Sequence, residues 1–303
     1  MRIASTQYHT TMNTALQTAS SRLQSILQKM ASGERYSLPS ENPIANVRLS
    51  RLTREEALLD QYLDNISTLQ GAMSRNEAVL AGMSADMLSA RDLLVWAADG
   101  SNTSDDIIAV SGSLRPLLES MFYNTNTLDA EGRYVFSGTV TDAPTLTYDP
   151  LAAVGARYTA TGNTAEQLVV VGNGITQPAN VTLPEMAVIM NELESILTTL
   201  QTPGINVNDP AVRAQIGAAM NALDEAIETN SGKIARLGGS QNILATLQSN
   251  HGNVSLSNKQ AALVIGQLDY GDAAVKMNGY TAAIQATQKA YSQVSRLSLF
   301  EVL

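Results

Sequence analysis

Residues 52–97 read LTREEALLDQYLDNISTLQGAMSRNEAVLAGMSADMLSARDLLVWA, and large apolar side chains recur in them at steps of seven: Leu52, Leu59, Ile66, Met73, Leu80, Met87 and Leu94. Three places on from each stand Glu55, Tyr62, Leu69, Asn76, Met83, Ala90 and Ala97, most of them also apolar. The two rows form a narrow stripe on one helix face with a period near 3.5 residues. No proline interrupts Ser50 to Asp99. A helix of about 50 residues is roughly 75 Å long. Ordinary globular helices run about 8–20 residues, so the length argues against a plain amphipathic core helix. The expectation is the spine of a rod, which serves architecture rather than chemistry.

The composition agrees. Aromatic residues are only 5% of the 303, with one tryptophan and three phenylalanines, which suits thin helical seams better than a bulky globular core. The formal net charge of −9 disfavours nucleic acid, whose phosphates need a clustered positive face, and disfavours an anionic membrane surface equally. The absence of cysteine excludes disulfides, thiolate catalysis and Cys-ligated zinc. It suits a protein that works outside the cell without oxidative folding machinery. Met1-Arg2-Ile3-Ala4-Ser5-Thr6 lacks the apolar run of a signal peptide, and no stretch approaches a membrane span. Export, if it occurs, is expected to cut nothing off.

Working outward, a first helical pattern runs from about Thr11 to Ala31 and ends at Gly33, a plausible C-terminal cap. The turn Pro39-Ser40-Glu41-Asn42-Pro43 follows; Pro43 pushes Asn42 out of the helical region and can open the long helix. A third pattern starts at Ser104, a candidate N-cap, and keeps its period to about Ala130. Pro116 sits inside it and either kinks or restarts the helix; the sequence leaves both open. Between Glu131 and Leu183 the period changes. Tyr134–Phe136, Thr145–Tyr148, Arg157–Thr159 and Leu168–Val171 are short strand-like runs separated by turn residues. Helical signals resume over Pro184–Leu200 and again after the turn Pro203–Asp209. A last helix is expected from near Leu256, with Tyr280, Ile284, Tyr291 and Val294 on its stripe. The fold class expected is therefore mainly α: a long-helix coiled-coil rod built from both termini, with a small β-rich domain inserted in the middle. Its divisions are an N-terminal assembly helix and turn (1–45), rod-core helices (46–130), the β-rich outer insert (131–183), further core helices (184–255) and a C-terminal assembly helix (256–303).

Catalytic constellations are missing. His9 and His251 have no ligand-like neighbours at metal spacing, and Ser249-Asn250-His251-Gly252-Asn253 reads as a loop. Gly172-Asn173-Gly174 lacks the third glycine of a dinucleotide loop and reads as a β-turn. Asp105-Asp106 reads as a helix start. Tyr280, Ile284 and Tyr291 could form an aromatic ligand box, but at helical spacing they are more often a packing seam, as are Met73, Met83 and Met87. No cofactor, metal or catalytic residue is expected, and the chain is not read as an enzyme.

Both ends resemble bacterial flagellins. The likeness is carried by Leu23-Gln24-Ser25-Ile26-Leu27-Gln28-Lys29-Met30-Ala31-Ser32-Gly33-Glu34-Arg35 and the Pro39–Pro43 turn, and covers roughly the first 100 residues and the last 90. Within that superfamily the chain resembles the hook–filament junction proteins, the flagellin-like hook-associated proteins of the FlgL type. Asn124-Thr125 followed by Gly132-Arg133-Tyr134-Val135-Phe136-Ser137-Gly138-Thr139 matches that family's pattern, as does the ending Leu297-Ser298-Leu299-Phe300. Pro116 and the glycine of Leu268-Asp269-Tyr270-Gly271-Asp272 depart from it. The resemblance implies an extracellular adaptor in the bacterial flagellum. It implies partners too: further copies of itself, the other hook-associated junction protein, flagellin, and a cytosolic export chaperone holding the C-terminal helix during unfolded type III export. The residues expected to carry assembly or chaperone contacts are Leu23, Ile26, Met30, Tyr280, Ile284, Tyr291, Val294, Leu297, Leu299 and Phe300. Filament flagellin is the alternative reading, and a surface adhesin using the β insert a more distant one.

Overall fold

The computed structural model describes residues 2–300, and the side chains of residues 6–293. The fold is mainly α. Helices α1 (Arg2–Ser32), α2 (Pro43–Ala97) and α3 (Ser104–Thr125) precede four short strands, β1 (Leu146–Tyr148), β2 (Tyr158–Ala160), β3 (Leu168–Gly172) and β4 (Ile175–Pro178). Helices α4 (Met186–Leu200), α5 (Pro210–Gly266) and α6 (Tyr270–Phe300) follow. The strands form two separate antiparallel hairpins, β1–β2 and β3–β4. The chain divides into two compact units. One comprises residues 1–58 with 252–303 (the terminal unit), and the other residues 59–251 (the central unit). The long helices α2 and α5 contribute to both.

The expected stripe is the buried face of α2 in the central unit. Leu59, Ile66, Met73, Leu80, Met87 and Leu94 are all buried, and so are Leu69, Met83, Ala90 and Ala97 of the companion row. All of these but Leu59 meet Ile107, Leu114, Leu118 and Met121 of α3, the strongly amphipathic α4, and Ile216, Leu223, Leu237 and Leu244 of α5 in one cluster. Phe136, Leu146, Val171, Val181 and Leu183 from the β-rich segment belong to that same cluster. The segment therefore shares its core with the helices, since hairpins this short cannot enclose one of their own.

Polar ties reinforce the join. The Asn191 side chain of α4 accepts from the Tyr158 N–H (3.0 Å) and donates to the Tyr158 carbonyl (2.8 Å). Arg157 pairs with the buried Glu194 at 3.1 Å. Burial, with Glu194 nearby, pushes the Tyr158 phenol up to about 12. Gly138, in the Phe136–Thr139 motif, has φ +74°, and a Cβ there would overlap the Asn163 carbonyl, so only glycine fits.

Several local expectations are corrected. His251 lies inside α5 rather than in a loop. Its Nε2 is 2.8 Å from the Val171 carbonyl and its ring is 5.6 Å from that of Tyr62. Because a carbonyl only accepts, Nε2 carries the proton. Tertiary anchoring overrides the weak helix propensity of Asn250 and Gly252. The N-cap of α3 is Thr103, not Ser104, because Asp106 stands three places after it and completes a capping box. Pro116 does not restart α3, which runs through it from Ser104 to Thr125. It and Gly112, whose carbonyl loses its donor, are both on the exposed side. Tyr134–Phe136 makes only an isolated bridge, Leu128↔Tyr134, and β4 is a strand the period did not reveal.

Candidate assembly surface

In the terminal unit the helical path changes twice, from α1 to α2 and from α5 to α6, and the two breaks are laced together. Gly33 (φ +74°) ends α1 and its N–H bonds the Lys29 carbonyl at 2.8 Å. Residues 34–42 form a turn around Glu41, whose carboxylate accepts from Lys29 Nζ (2.8 Å), the Ser37 N–H (3.2 Å) and the Ser37 hydroxyl (3.2 Å). Asn42 then caps α2, its Oδ1 accepting from the Ala45 N–H at 3.0 Å, with Pro43 in the first helical position.

The second change separates α5 from α6. Here the last helix does not begin near Leu256. Instead α5 continues to Gly266, helped by the buried Ser255 hydroxyl, which donates to Glu56 of α2. Asp269 caps α6, its Oδ1 accepting from the Gly271 (2.9 Å) and Asp272 (3.1 Å) N–H groups. Thus the glycine departure at Leu268–Asp272 is the true helix start. The Arg35 N–H bonds the Gly266 carbonyl (2.7 Å), the Leu268 N–H bonds the Gly33 carbonyl (2.9 Å), and the Tyr270 hydroxyl donates to the Met30 carbonyl (3.2 Å). These bonds satisfy backbone groups that both helix ends leave open.

Beyond the breaks α1 packs against α6. Leu23, Ile26, Met30 and Tyr280 gather with Leu268, Ala273 and Met277 in one small cluster. Only Ile26, Leu268 and Ala273 in it are buried. Ile284 and Tyr291 are half-buried further along α6, and the Tyr291 ring meets His9 edge-on at 5.3 Å. The side chains of Val294, Leu297, Leu299 and Phe300 lie outside the described residues.

The surface of this unit holds what the stripe did not reveal. Ile44 is 70%, Val47 66%, Val264 80% and Val275 72% exposed, and Leu27, Leu38 and Leu263 are exposed as well. An open groove of about 820 Å³, lined in part by Leu38, Leu49, Leu263 and Gly266, lies beside the laced turns. Another of about 810 Å³ lies between α1 and α6, lined in part by Thr10, Thr14, Thr18 and Tyr280. So many exposed aliphatic side chains on a unit with so small a core make this the candidate assembly surface. The legible signal was an excess of Leu, Ile and Val around the turns beyond what one stripe needs. Among the described residues no cluster of acidic or histidine side chains could hold a metal ion, and no helix is long and apolar enough to cross a membrane.

The Glu41 turn has a pH signature. The Lys29 hydrogen bond, opposed in part by burial and assisted by Ser37, holds its carboxyl below the ordinary 4.5. A depressed carboxyl stabilises the folded state fully above the unfolded value and loses that contribution as pH falls through the lower folded one. Melting temperatures of the native chain should therefore decline more steeply on acidification from about pH 6 to about pH 3 than those of Glu41→Gln. Parallel curves would show that the turn adds nothing.

Comparison with known proteins follows the same lines. Residues 3–141 match the model of the bacterial flagellin N-terminal helical region. Flagellar hook-associated protein 3 of Salmonella typhimurium is 24% identical over 290 residues, covering 91% of each chain. The protein of that name from Escherichia coli K12 is 23% identical over 292 residues, again covering 91% of each. A Vibrio parahaemolyticus structure assigned to the flagellar hook-associated proteins is 27% identical with a TM-score of 0.67, covering 74% of this chain and 99% of that one.

Proposed function

Since the chain belongs to the flagellin superfamily, we propose that it is a structural subunit of the bacterial flagellum, an adaptor at the junction of hook and filament that assembles through its terminal helices. The observation that carries this reading is the terminal unit: a thin α1–α6 pair, closed by laced turns, that leaves Ile44, Val47, Val264 and Val275 in water. Helices with so little buried surface gain order from neighbours. The likeness to hook-associated protein 3 over nine-tenths of the chain supports the position in the flagellum, outside the cell. Residues 1–45 and 256–303 act as assembly segments in this reading. The partners are further copies, the second hook-associated junction protein, flagellin, and an export chaperone that holds the C-terminal helix.

The test uses the apolar C-terminal tail. Leu297→Ala with Phe300→Ala removes two large side chains, each worth roughly 2–5 kcal/mol where fully buried at a contact. The double variant should melt within a few degrees of the native monomer, yet fail to incorporate when added to hooks and fail to restore motility. Normal incorporation would remove the tail from the interface. Unseeded growth of the native protein into long filaments would instead identify a filament flagellin.

A further inference from the structure

Both α2 and α5 carry buried apolar rows at steps of seven: Ile66, Met73, Leu80, Met87 and Leu94 on α2, and Ile216, Leu223, Leu237 and Leu244 on α5. Two such rows match again after a displacement of seven residues, about 10 Å along the helix axis. Apolar burial is non-directional, so it discriminates poorly between these registers. The α5 row has one polar member. Asn230 stands midway between Leu223 and Leu237 and is 2% exposed. Its Nδ2 donates to the Leu80 carbonyl (2.7 Å) and to Ser84 Oγ (2.7 Å). Its Oδ1 is buried without a partner. Because the Leu80 oxygen can only accept, the amide has one orientation.

Two further ties flank it on the same pair of helices. Arg91 pairs with Asp224 toward one end, and Gln241 Nε2 donates to Glu77 (2.9 Å) toward the other. A seven-residue displacement would set Asn230 beside Met73 and Glu77 or beside Met87 and Arg91, and would part both flanking pairs.

We propose that Asn230 fixes the axial register of α5 on α2. A leucine at this place would be satisfied in every register, whereas the asparagine amide meets the Leu80 carbonyl and Ser84 together with both flanking pairs in one; displaced toward Met87 it would face Arg91, which only donates, and displaced toward Met73 it would take Glu77 from Gln241. The cost is an orphaned oxygen, so the residue exchanges stability for uniqueness, as single polar residues in coiled-coil seams do. The competing determinant is the closure at one end of the pair, where Asn208 Nδ2 donates to the Gly100 carbonyl at 3.1 Å.

The experiment separates the two. The chain contains no cysteine, so spin labels can be placed on the full-length protein at Asp92→Cys and Asn242→Cys. Both sites are exposed and lie at different levels of the helix pair. After refolding from denaturant, the native background should give one narrow distance by pulsed electron resonance. Asn230→Leu should give a second population displaced by up to about 10 Å, with an equal or higher melting temperature. Asn230→Ala removes the same donor at smaller volume and should also give two populations. One unshifted distance in either folded variant would overturn the proposal and assign register to the closing turns. Loss of helical circular dichroism in both would overturn it as well, because the residue would then hold the fold rather than choose a register.

Discussion

Phe136→Ala should destabilise the entire central unit by about 3–5 kcal/mol. Phe136 is 1% exposed and is the largest side chain that the β-rich segment sends into the common cluster, where it is buried with the seams of α2 to α5. An aromatic cavity at that point leaves neighbours on several elements without partners. In a unit of this size the loss corresponds to a fall in melting temperature of roughly 10 °C or more. The measurement is a thermal melt followed at once by helical circular dichroism and by tyrosine fluorescence. The two signals should shift together. If the tyrosine signal moved alone and the helical melt stayed in place, the hairpins would be an independent domain and the shared core would carry no energy.

The second large effect falls on assembly. Ile44→Asp combined with Val264→Asp should leave the monomer's melt nearly unchanged, because both side chains are largely in water in the single chain. If both are covered by neighbours in the flagellum, the lost burial is roughly 3 kcal/mol or more, and association weakens at least about a hundredfold. Two added carboxylates in a closed interface make the deficit larger. Incorporation at the hook end, read by electron microscopy or co-sedimentation, should be lost. A variant that assembles as well as the native chain would place these residues on the outside of the structure and require another docking face.

The long helix of residues 52–97 was legible because its information is local and repeated. A step of seven, without proline, specifies one buried face wherever the helix is placed. The change of period after Glu131 was legible for the same reason, as were Gly33, Asn42 and Pro43, whose backbone preferences act within a few residues. The misread points share a different cause. Asn250 and Gly252 have loop propensity worth about 1 kcal/mol or less each. His251 outweighs it by bonding Val171, 80 residues away in sequence. The start of α6 was misplaced because Asp269 caps it next to a break that is held by Gly33 and Arg35 from the other end of the chain.

Of the candidate site, Leu23, Ile26, Met30 and Tyr280 could be named from periodicity, and the structure joins them in one cluster. That cluster joins residues about 250 positions apart, and nothing local encodes which stripe meets which. The sequence by itself determined where the long helix of residues 52–97 runs and which of its faces is apolar, since both follow from the spacing of side chains along one chain. Only the tertiary structure decided that the β-rich segment shares the helical core. It alone revealed that the two helix breaks lace together, and that Ile44, Val47 and Val264 are left uncovered. Those outcomes depend on which apolar surfaces find each other, and burial favours any matching pair without regard to its place in the sequence.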